Sequence, residues 1–115
     1  MDVTDSQIRT PIRSLHHEAV EAIAKWLMIG RYRVGTILPN ETEIGDELGI
    51  SRTVVREAVR TLVAKGMLQV RRKTGTIVRP VSDWSLFDPE VLAWRFRYNR
   101  DQTFVDDMAS FRAAI

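Results

Sequence analysis

Residues 38–66 read LPNETEIGDELGISRTVVREAVRTLVAKG and contain the signals for two consecutive helices. Asn40 followed by Glu43 has the spacing of a capping box, which predicts a helix that begins here and ends at Gly49. Ser51 predicts the N-cap of a second helix. Because only one residue separates Gly49 from Ser51, the two helices have no room to run antiparallel. They must cross steeply, as in a helix-turn-helix.

The second predicted helix, residues 52–65, divides into an apolar and a polar face. At about 100° per residue, its apolar side chains fall in one arc: Val55, Ala58, Val59 and Leu62. A roughly opposite arc carries Arg52, Thr53, Arg56 and Arg60. On an arbitrary helix, three arginines are most simply a solvated face. Here a tight helix-turn-helix and a basic hairpin flank them, so we interpret the polar arc as a surface for the DNA major groove.

The flanking sequence completes a winged helix-turn-helix. The spacing of apolar residues predicts a first helix over residues 14–29, capped by Ser14 and ended by Gly30. Residues 36–38 are β-prone, and the segments around the turn Lys73-Thr74-Gly75, residues 67–72 and 76–79, predict a hairpin. The predicted fold class is therefore α+β, with a three-helix core and a small antiparallel β-wing, followed by the start of an all-α domain.

Positive charge is concentrated in one part of the chain. The 115 residues contain 17 Lys+Arg and 15 Asp+Glu, which gives a net charge of +2. Residues 51–79 hold eight basic residues against a single acid, Glu57, whereas residues 1–50 and 80–115 are each net negative. A polyanion is therefore expected to bind to residues 51–79.

Several residues of this basic stretch have side chains suited to DNA. Arg52 and Arg56, one turn apart, can each bond O6 and N7 of a guanine through the guanidinium fork. Thr53 can approach a thymine methyl or a phosphate, and the Ser51 hydroxyl at the helix N-terminus suits a phosphate.

The hairpin turn offers a second set of contacts. Lys73 can reach the minor groove or a phosphate beside it, and Gly75 lets the backbone approach closely. For Arg71 and Arg72, backbone contacts and simple solvation both stay open. The predicted DNA-binding residues are Ser51, Arg52, Thr53, Arg56, Arg60, Arg72, Lys73, Thr74 and Gly75.

Changes in composition predict four segments. These are a flexible N-terminus at residues 1–13, the winged helix-turn-helix at 14–79, a linker at 80–88, and the first helices of a truncated all-α domain at 89–115. Asp88-Pro89 predicts the start of the first of these helices. Trp84 and Trp94, in or near the linker, are more simply explained by packing at a domain junction than by ligand binding.

Other kinds of chemistry find little support. The chain has no cysteine, so it has neither a disulfide framework nor a thiolate metal site. His16 and His17 are adjacent and would point about 100° apart on a helix, which prevents a shared metal site. No Ser-His-Asp set, phosphate loop or dinucleotide fingerprint occurs, and we expect no enzymatic activity. The N-terminus lacks the pattern of a secretory signal, and we expect a cytoplasmic protein.

Residues 30–78 resemble the DNA-binding domain of the GntR family of bacterial transcription regulators. The matching positions are Gly30, Gly35, Leu38-Pro39, Glu41, Glu43, 48–53, 55–58, Leu62, Gly66, Gly75 and Val78. Thr42 departs from the pattern, standing where many relatives have arginine, and Val54 stands where many have proline. Asp88-Pro89 and Trp94 are similar to the start of the all-helical effector domain, called FCD, of the FadR-type subfamily. The pattern around Trp84 is similar to regulators of sugar-acid catabolism such as galactonate.

The resemblance implies a homodimer that binds a palindromic operator in double-stranded DNA, usually as a repressor, and responds to a small carboxylate or sugar-acid effector. It implies DNA contacts from Arg52, Thr53 and Arg56, assisted by Ser51 and the wing at residues 73–75. The subfamily's divalent metal would lie in an effector domain beyond residue 115, so we expect no cofactor in this chain itself. Two alternatives are a winged helix that binds protein or RNA, and the DNA-binding part of a larger aminotransferase-like fusion.

Overall fold

The computed structural model describes residues 12–98, with side chains from residue 14 onward. Its elements follow in the order α1 (Ile12–Met28), α2 (Glu41–Leu48), α3 (Arg52–Ala64), β1 (Leu68–Arg71), β2 (Gly75–Val78), a 3₁₀ turn (Val81–Asp83) and α4 (Pro89–Tyr98). The first three helices and the two-stranded antiparallel sheet form a winged helix-turn-helix. The predicted α+β fold class is confirmed.

The hydrophobic core lies mainly between α1 and α3. Val55, Ala58 and Leu62 of α3 are completely buried, and so are Ile23 and Ala24 of α1. This confirms the apolar arc predicted for α3. Burial of one Val or Leu side chain contributes about 1.5–3 kcal/mol, so the contact fixes which side of α3 faces inward.

The helices of the helix-turn-helix begin and end where the sequence predicts. Asn40 Oδ1 accepts the N–H of Glu43 at 2.8 Å, and Glu43 Oε1 accepts the N–H of Asn40 at 3.0 Å. Gly49 ends α2 in the left-handed conformation, with φ of 70°. Ser51 Oγ accepts the N–H of Val54 at 3.2 Å and so caps α3. The predicted capping box and the predicted cap of α3 are both confirmed.

The start of α1 differs from the prediction. The helix begins at Ile12, two residues before Ser14, so the predicted cap at Ser14 is wrong. The Ser14 side chain is exposed in the first turn, where serine is tolerated because it can point into solvent. At the other end, α1 stops at Met28 and Gly30 follows with φ of 78°.

The predicted hairpin is confirmed, with somewhat shorter strands. β1 and β2 pair antiparallel with Leu68 opposite Val78, and both of these side chains are buried. Ile37 forms an isolated bridge with Ile77, which brings the β-prone segment 36–38 against the outer edge of β2. The base of the wing is therefore anchored in the core, while its turn projects into solvent.

Residues 80–88, the predicted linker, pack against the winged helix. The ring of Trp84 is buried, and its Nε1 donates to the carbonyl oxygen of Arg79 at 3.0 Å. Asp88 begins α4 as predicted, because its Oδ1 accepts the N–H groups of Glu90 and Val91. The domain boundaries stay predictions. The predicted N-terminal segment up to residue 11 and the predicted helix after residue 103 lie outside the described residues.

Membrane insertion through a helix is not indicated for the described part of the chain. None of the helices between residues 12 and 98 is long and apolar enough to span a membrane.

Gly66, after α3, supplies a test of this packing. Its φ is +78°, and a Cβ there would lie 2.3 Å from the carbonyl oxygen of Asp83. Gly66→Ala therefore adds a clash to left-handed strain, and we expect the free energy of unfolding to fall by roughly 2–5 kcal/mol. The measurement is urea denaturation.

Gly35→Ala is the matched control. Gly35 has φ of +86°, but no atom lies within 4 Å of the position that its Cβ would take. The control should therefore lose only about 1–2 kcal/mol. Equal losses for the two variants would contradict the close approach at Gly66.

Candidate nucleic-acid interface

The polar face of α3 is exposed along its length. Arg52, Thr53, Arg56 and Arg60 are all exposed, whereas the intervening Val54 joins the buried side. Ser51 caps the N-terminus of α3, so the first N–H groups of this helix lie at the same end as Arg52 and Thr53. The structure thus brings together the five residues that the sequence predicted as DNA-binding on this helix and its cap.

Arg56 is held by an acidic residue of α2. Its Nη2 donates to Glu41 Oε1 at 3.1 Å, and its Nε lies 3.3 Å from both oxygens of the same carboxylate. The hydrogen bond to Glu41 raises the pKa of Arg56, so its guanidinium is charged. This ion pair was not predicted from the sequence. The two residues are 15 positions apart, and no local spacing connects them.

The other arginines of the face are in different states. Arg60 pairs with Glu57 at 3.2 Å, one turn back on the same helix, in a largely exposed geometry that contributes little. Within the described part of the chain, Arg52 has no ion-pair partner. Arg52 is therefore the arginine of α3 that is most available to a ligand.

The wing turn carries three exposed cations in sequence. Arg71, Arg72 and Lys73 are all exposed, and Lys73 has φ of 70°, the one positive φ of a non-glycine residue between residues 12 and 98. Such a conformation costs a side-chain-bearing residue roughly 1–2 kcal/mol. Gly75 has φ of 120°, and a Cβ there would meet Ile37 at 3.2 Å. The turn therefore accommodates glycine at one position and stores strain at the other.

A cleft joins the wing to α3. It has a volume of about 470 Å³ and is lined by Arg52 and Val59 of α3, by Thr74, Gly75 and Thr76 of the wing, and by residues 37–42 and 44 around the start of α2. The two predicted parts of the site, recognition helix and wing, thus flank one concave surface. Thr42 also lines the cleft.

Two of the eight basic residues in residues 51–79 are neutralised elsewhere. Lys65 Nζ lies 2.7 Å from Asp88 Oδ2 and 2.9 Å from Glu90 Oε1. Arg79 pairs with Asp83 at 3.1 Å. The exposed basic surface is therefore narrower than the charge count of this stretch indicated.

One group of side chains in residues 14–98 has the composition of a metal site. The potential ligand atoms of His17, Glu21 and Glu90 all lie within 4.8 Å of one another. However, Glu21 already accepts hydrogen bonds from Trp94 and Arg97, and Glu90 pairs with Lys65. Because cations already neutralise both carboxylates, the arrangement favours an ion-pair network. That this chain holds no metal stays a prediction.

The family model and the similar proteins all belong to transcription regulators. Residues 15–78 match the family described as bacterial regulatory proteins, gntR family. The HTH-type transcriptional regulator YieP of Escherichia coli K12 is 48% identical over 82 residues, which are 71% of this chain and 36% of that protein. The galactonate operon transcriptional repressor of the same organism is 32% identical over 93 residues, 81% of this chain and 41% of that protein. The chain spans about two fifths or less of these relatives' length.

A solved structure extends the likeness to three dimensions. The GntR protein of Streptococcus agalactiae superposes with a TM-score of 0.54 at 31% identity, over 59% of this chain and 32% of that one. The family and both relatives are transcription regulators rather than enzymes. The family match covers more than half of the chain, and the chain therefore belongs to the GntR family of bacterial DNA-binding transcription regulators.

Proposed function

We propose that this chain binds double-stranded DNA with α3 in the major groove and the turn Lys73-Thr74-Gly75 beside it, against the backbone or the minor groove. One observation carries the proposal: Arg52 at the start of α3 and Thr74, Gly75 and Thr76 of the wing line the same cleft. The exposed Lys73 lies next to Thr74 in the wing turn. An α-helix fits the width of the major groove, and the concave surface between helix and wing suits a phosphate backbone that separates two grooves.

We assign the contacts with DNA base edges, which distinguish one sequence from another, to Arg52 and Arg56. Arg52 is exposed and has no ion-pair partner among the described residues, so its guanidinium can meet a guanine directly. Arg56 must exchange Glu41 for the base. An exposed ion pair is worth about 0–1 kcal/mol, whereas a bidentate contact to the correct base discriminates by about 1–3 kcal/mol. Replacing the Glu41 contact of Arg56 by a base contact is therefore favourable on the right sequence and unfavourable on others. Glu41 thus lowers the affinity of Arg56 for random DNA.

Phosphate contacts are assigned to the residues around this centre. The Ser51 hydroxyl, Thr53 and the N-terminus of α3 suit one phosphate. Arg60 at the far end of the face, together with Arg72, Lys73 and Thr74 of the wing, suits others. These contacts carry affinity and register rather than sequence information.

The larger protein context is also a proposal. We infer a cytoplasmic homodimer that represses transcription from a palindromic operator and is released by a small carboxylate or sugar acid. The support is that one relative is named as the repressor of the galactonate operon. The relatives are also more than twice as long as the part that matches this chain, which leaves room for an effector domain. That domain, of FCD type, would hold the effector and any divalent metal.

The first prediction concerns salt. If Arg60, Arg72 and Lys73 each neutralise a phosphate, the logarithm of the binding constant should fall with the logarithm of salt concentration with a slope of about −3 per chain. The measurement is fluorescence anisotropy with a duplex selected from a random library. Lys73→Ala should reduce the slope by about one, and Lys25→Ala, on α1, should leave it unchanged. A slope near zero, or equal binding to double-stranded RNA, would argue for the protein- or RNA-binding alternative.

The second prediction separates base reading from phosphate binding. Arg56→Lys keeps the positive charge but loses the guanidinium fork, so we expect it to weaken binding to the selected duplex by about 1–3 kcal/mol and to a scrambled duplex by much less. The measurement is the affinity for both duplexes at one fixed salt concentration, with thermal melting as a folding check.

Arg60→Lys is the matched control for this test. Arg60 lies on the same face of α3 and is more exposed than Arg56. Because a phosphate contact tolerates lysine, this control should bind both duplexes nearly as well as the parent. If Arg56→Lys behaves like its control, Arg56 does not read a base.

The third prediction uses the strained wing residue. Lys73→Gly removes the cost of a positive φ together with the charge, so stability should stay level or rise by up to about 1 kcal/mol while DNA affinity falls. Arg72→Gly removes the same charge from the same turn without relieving strain, and should lower stability by about 0.5–1 kcal/mol. Urea denaturation and anisotropy on the same samples measure both quantities. A loss of stability in Lys73→Gly equal to that in Arg72→Gly would remove the argument for strain.

A further inference from the structure

The C-terminal end of α3 is bound to the start of α4. Lys65, directly after α3, places its ammonium group 2.7 Å from Asp88 Oδ2 and 2.9 Å from Glu90 Oε1. Only 11% of the Lys65 side chain is exposed, so this is not an ordinary surface pair. The other oxygen of Asp88 accepts the N–H groups of Glu90 and Val91. A single carboxylate therefore caps α4 and holds the end of the recognition helix.

The backbone reinforces this junction. The N–H of Ser85 donates to the carbonyl oxygen of Lys65 at 2.8 Å. Gly66 lies so close to the carbonyl oxygen of Asp83 that no side chain fits between them. The segment before α4 is thus folded back over the end of α3, and the starting point of α4 is fixed relative to the helix that carries Arg52 and Arg56.

A second anchor fixes the side of α4 that faces the core. Trp94 is 1% exposed, and its Nε1 donates to Glu21 Oε2 on α1 at 2.8 Å. The Lys65 ammonium lies 5.8 Å from the centre of the Trp94 ring, within the range of a cation–π contact. Lys65 therefore contacts both the first turn of α4 and the ring that holds the middle of α4 against α1.

The charges at this junction are retained at neutral pH. Burial opposes the charge on Lys65, but hydrogen bonds to Asp88 and Glu90 hold its pKa above the ordinary value. Burial likewise opposes the charge on Asp88, but Lys65 and the backbone N–H groups of α4 hold its pKa below the ordinary value. The contact is consequently a charged bridge between the two helices.

We infer that Lys65 is a positioning residue that sets the angle at which α4 leaves the recognition helix, and through that angle the spacing of operator half-sites. The second part rests on the proposed dimer. α4 has 10 residues and is therefore about 15 Å long. A change of about 15° at its base would move its far end by about 4 Å, which exceeds the 3.4 Å rise of one base pair. A small loss of angular control is therefore enough to blur a spacing preference.

The first experiment measures the angle in this chain without DNA. The sequence has no cysteine, so Gln69→Cys on β1 and Ala93→Cys on α4, both exposed positions, give a clean pair of spin-label sites. Pulsed electron–electron double resonance should give one narrow distribution of label-to-label distances in the chain that carries only these two substitutions. Adding Lys65→Met, which keeps the aliphatic stem and removes the charge, should broaden or shift it. Adding Arg31→Met, which breaks the exposed bidentate pair with Glu47 away from the junction, should not.

The second experiment measures spacing in the dimeric protein. The probes are the selected palindromic duplex and the same duplex with one base pair inserted or removed at its centre. We expect the parent to prefer one spacing by about tenfold or more. Lys65→Met should keep its affinity for an isolated half-site and lose most of that preference, and Arg31→Met should keep both. If Lys65→Met does not fold, Asp88→Asn replaces it, because asparagine retains an acceptor for the N–H groups of α4. This variant should also keep half-site affinity and lose most of the spacing preference.

The outcomes distinguish this inference from the proposed function. An unchanged distance distribution in folded Lys65→Met, or a spacing preference equal to that of the parent, overturns the role of Lys65. A parent protein that selects no palindromic duplex overturns the proposed dimer, and with it the spacing claim. The distance measurement still decides whether Lys65 fixes α4.

Discussion

The packing of α3 against α1 determines where the charged groups of this protein lie. Val55, Ala58 and Leu62 are completely buried on one side of α3. Turning the helix by one residue, about 100°, would expose these side chains and force an arginine inward, which would cost several kcal/mol in lost burial and desolvation. α3 therefore has one orientation, and Arg52 and Arg56 point outward because of the core beneath them.

The two ends of α3 serve different purposes. Its N-terminal end carries the Ser51 cap and opens toward the cleft shared with the wing. At its C-terminal end, Lys65 is bound by Asp88, which caps α4, and by Glu90 of α4, and only 11% of its side chain is exposed. Among the described residues, Arg52 at the N-terminal end of α3 has no ion-pair partner, whereas the charge of Lys65 at the other end is neutralised. In the proposed complex, α3 contacts DNA near its N-terminal end, and Lys65 at its C-terminal end fixes the orientation of α4.

The features that could be predicted from the sequence depend on interactions between residues close together in the chain. The capping box of Asn40 and Glu43 and the left-handed Gly49 depend on neighbours within four positions, so they can be predicted from spacing. Prediction from the sequence failed for Glu41 with Arg56 and for Lys65 with Asp88, which are 15 and 23 positions apart and meet only after the helices have packed. The strained φ of Lys73 was also missed, because a turn ending in glycine predicts the hairpin but not which residue bears the strain. The cap predicted at Ser14 was wrong because a serine can also lie in the first turn of a helix with its side chain in solvent, so its presence alone does not fix the start.

The face formed by α3 and the wing turn is proposed as the DNA-binding surface. A titration of the ¹⁵N-labelled chain with a duplex that carries one selected half-site, followed by amide chemical shifts, tests it most directly. We expect the largest changes in residues 51–60 and 71–75, with small changes along α4. Large changes confined to α1 or α4, with residues 51–60 unaffected, would contradict this proposal.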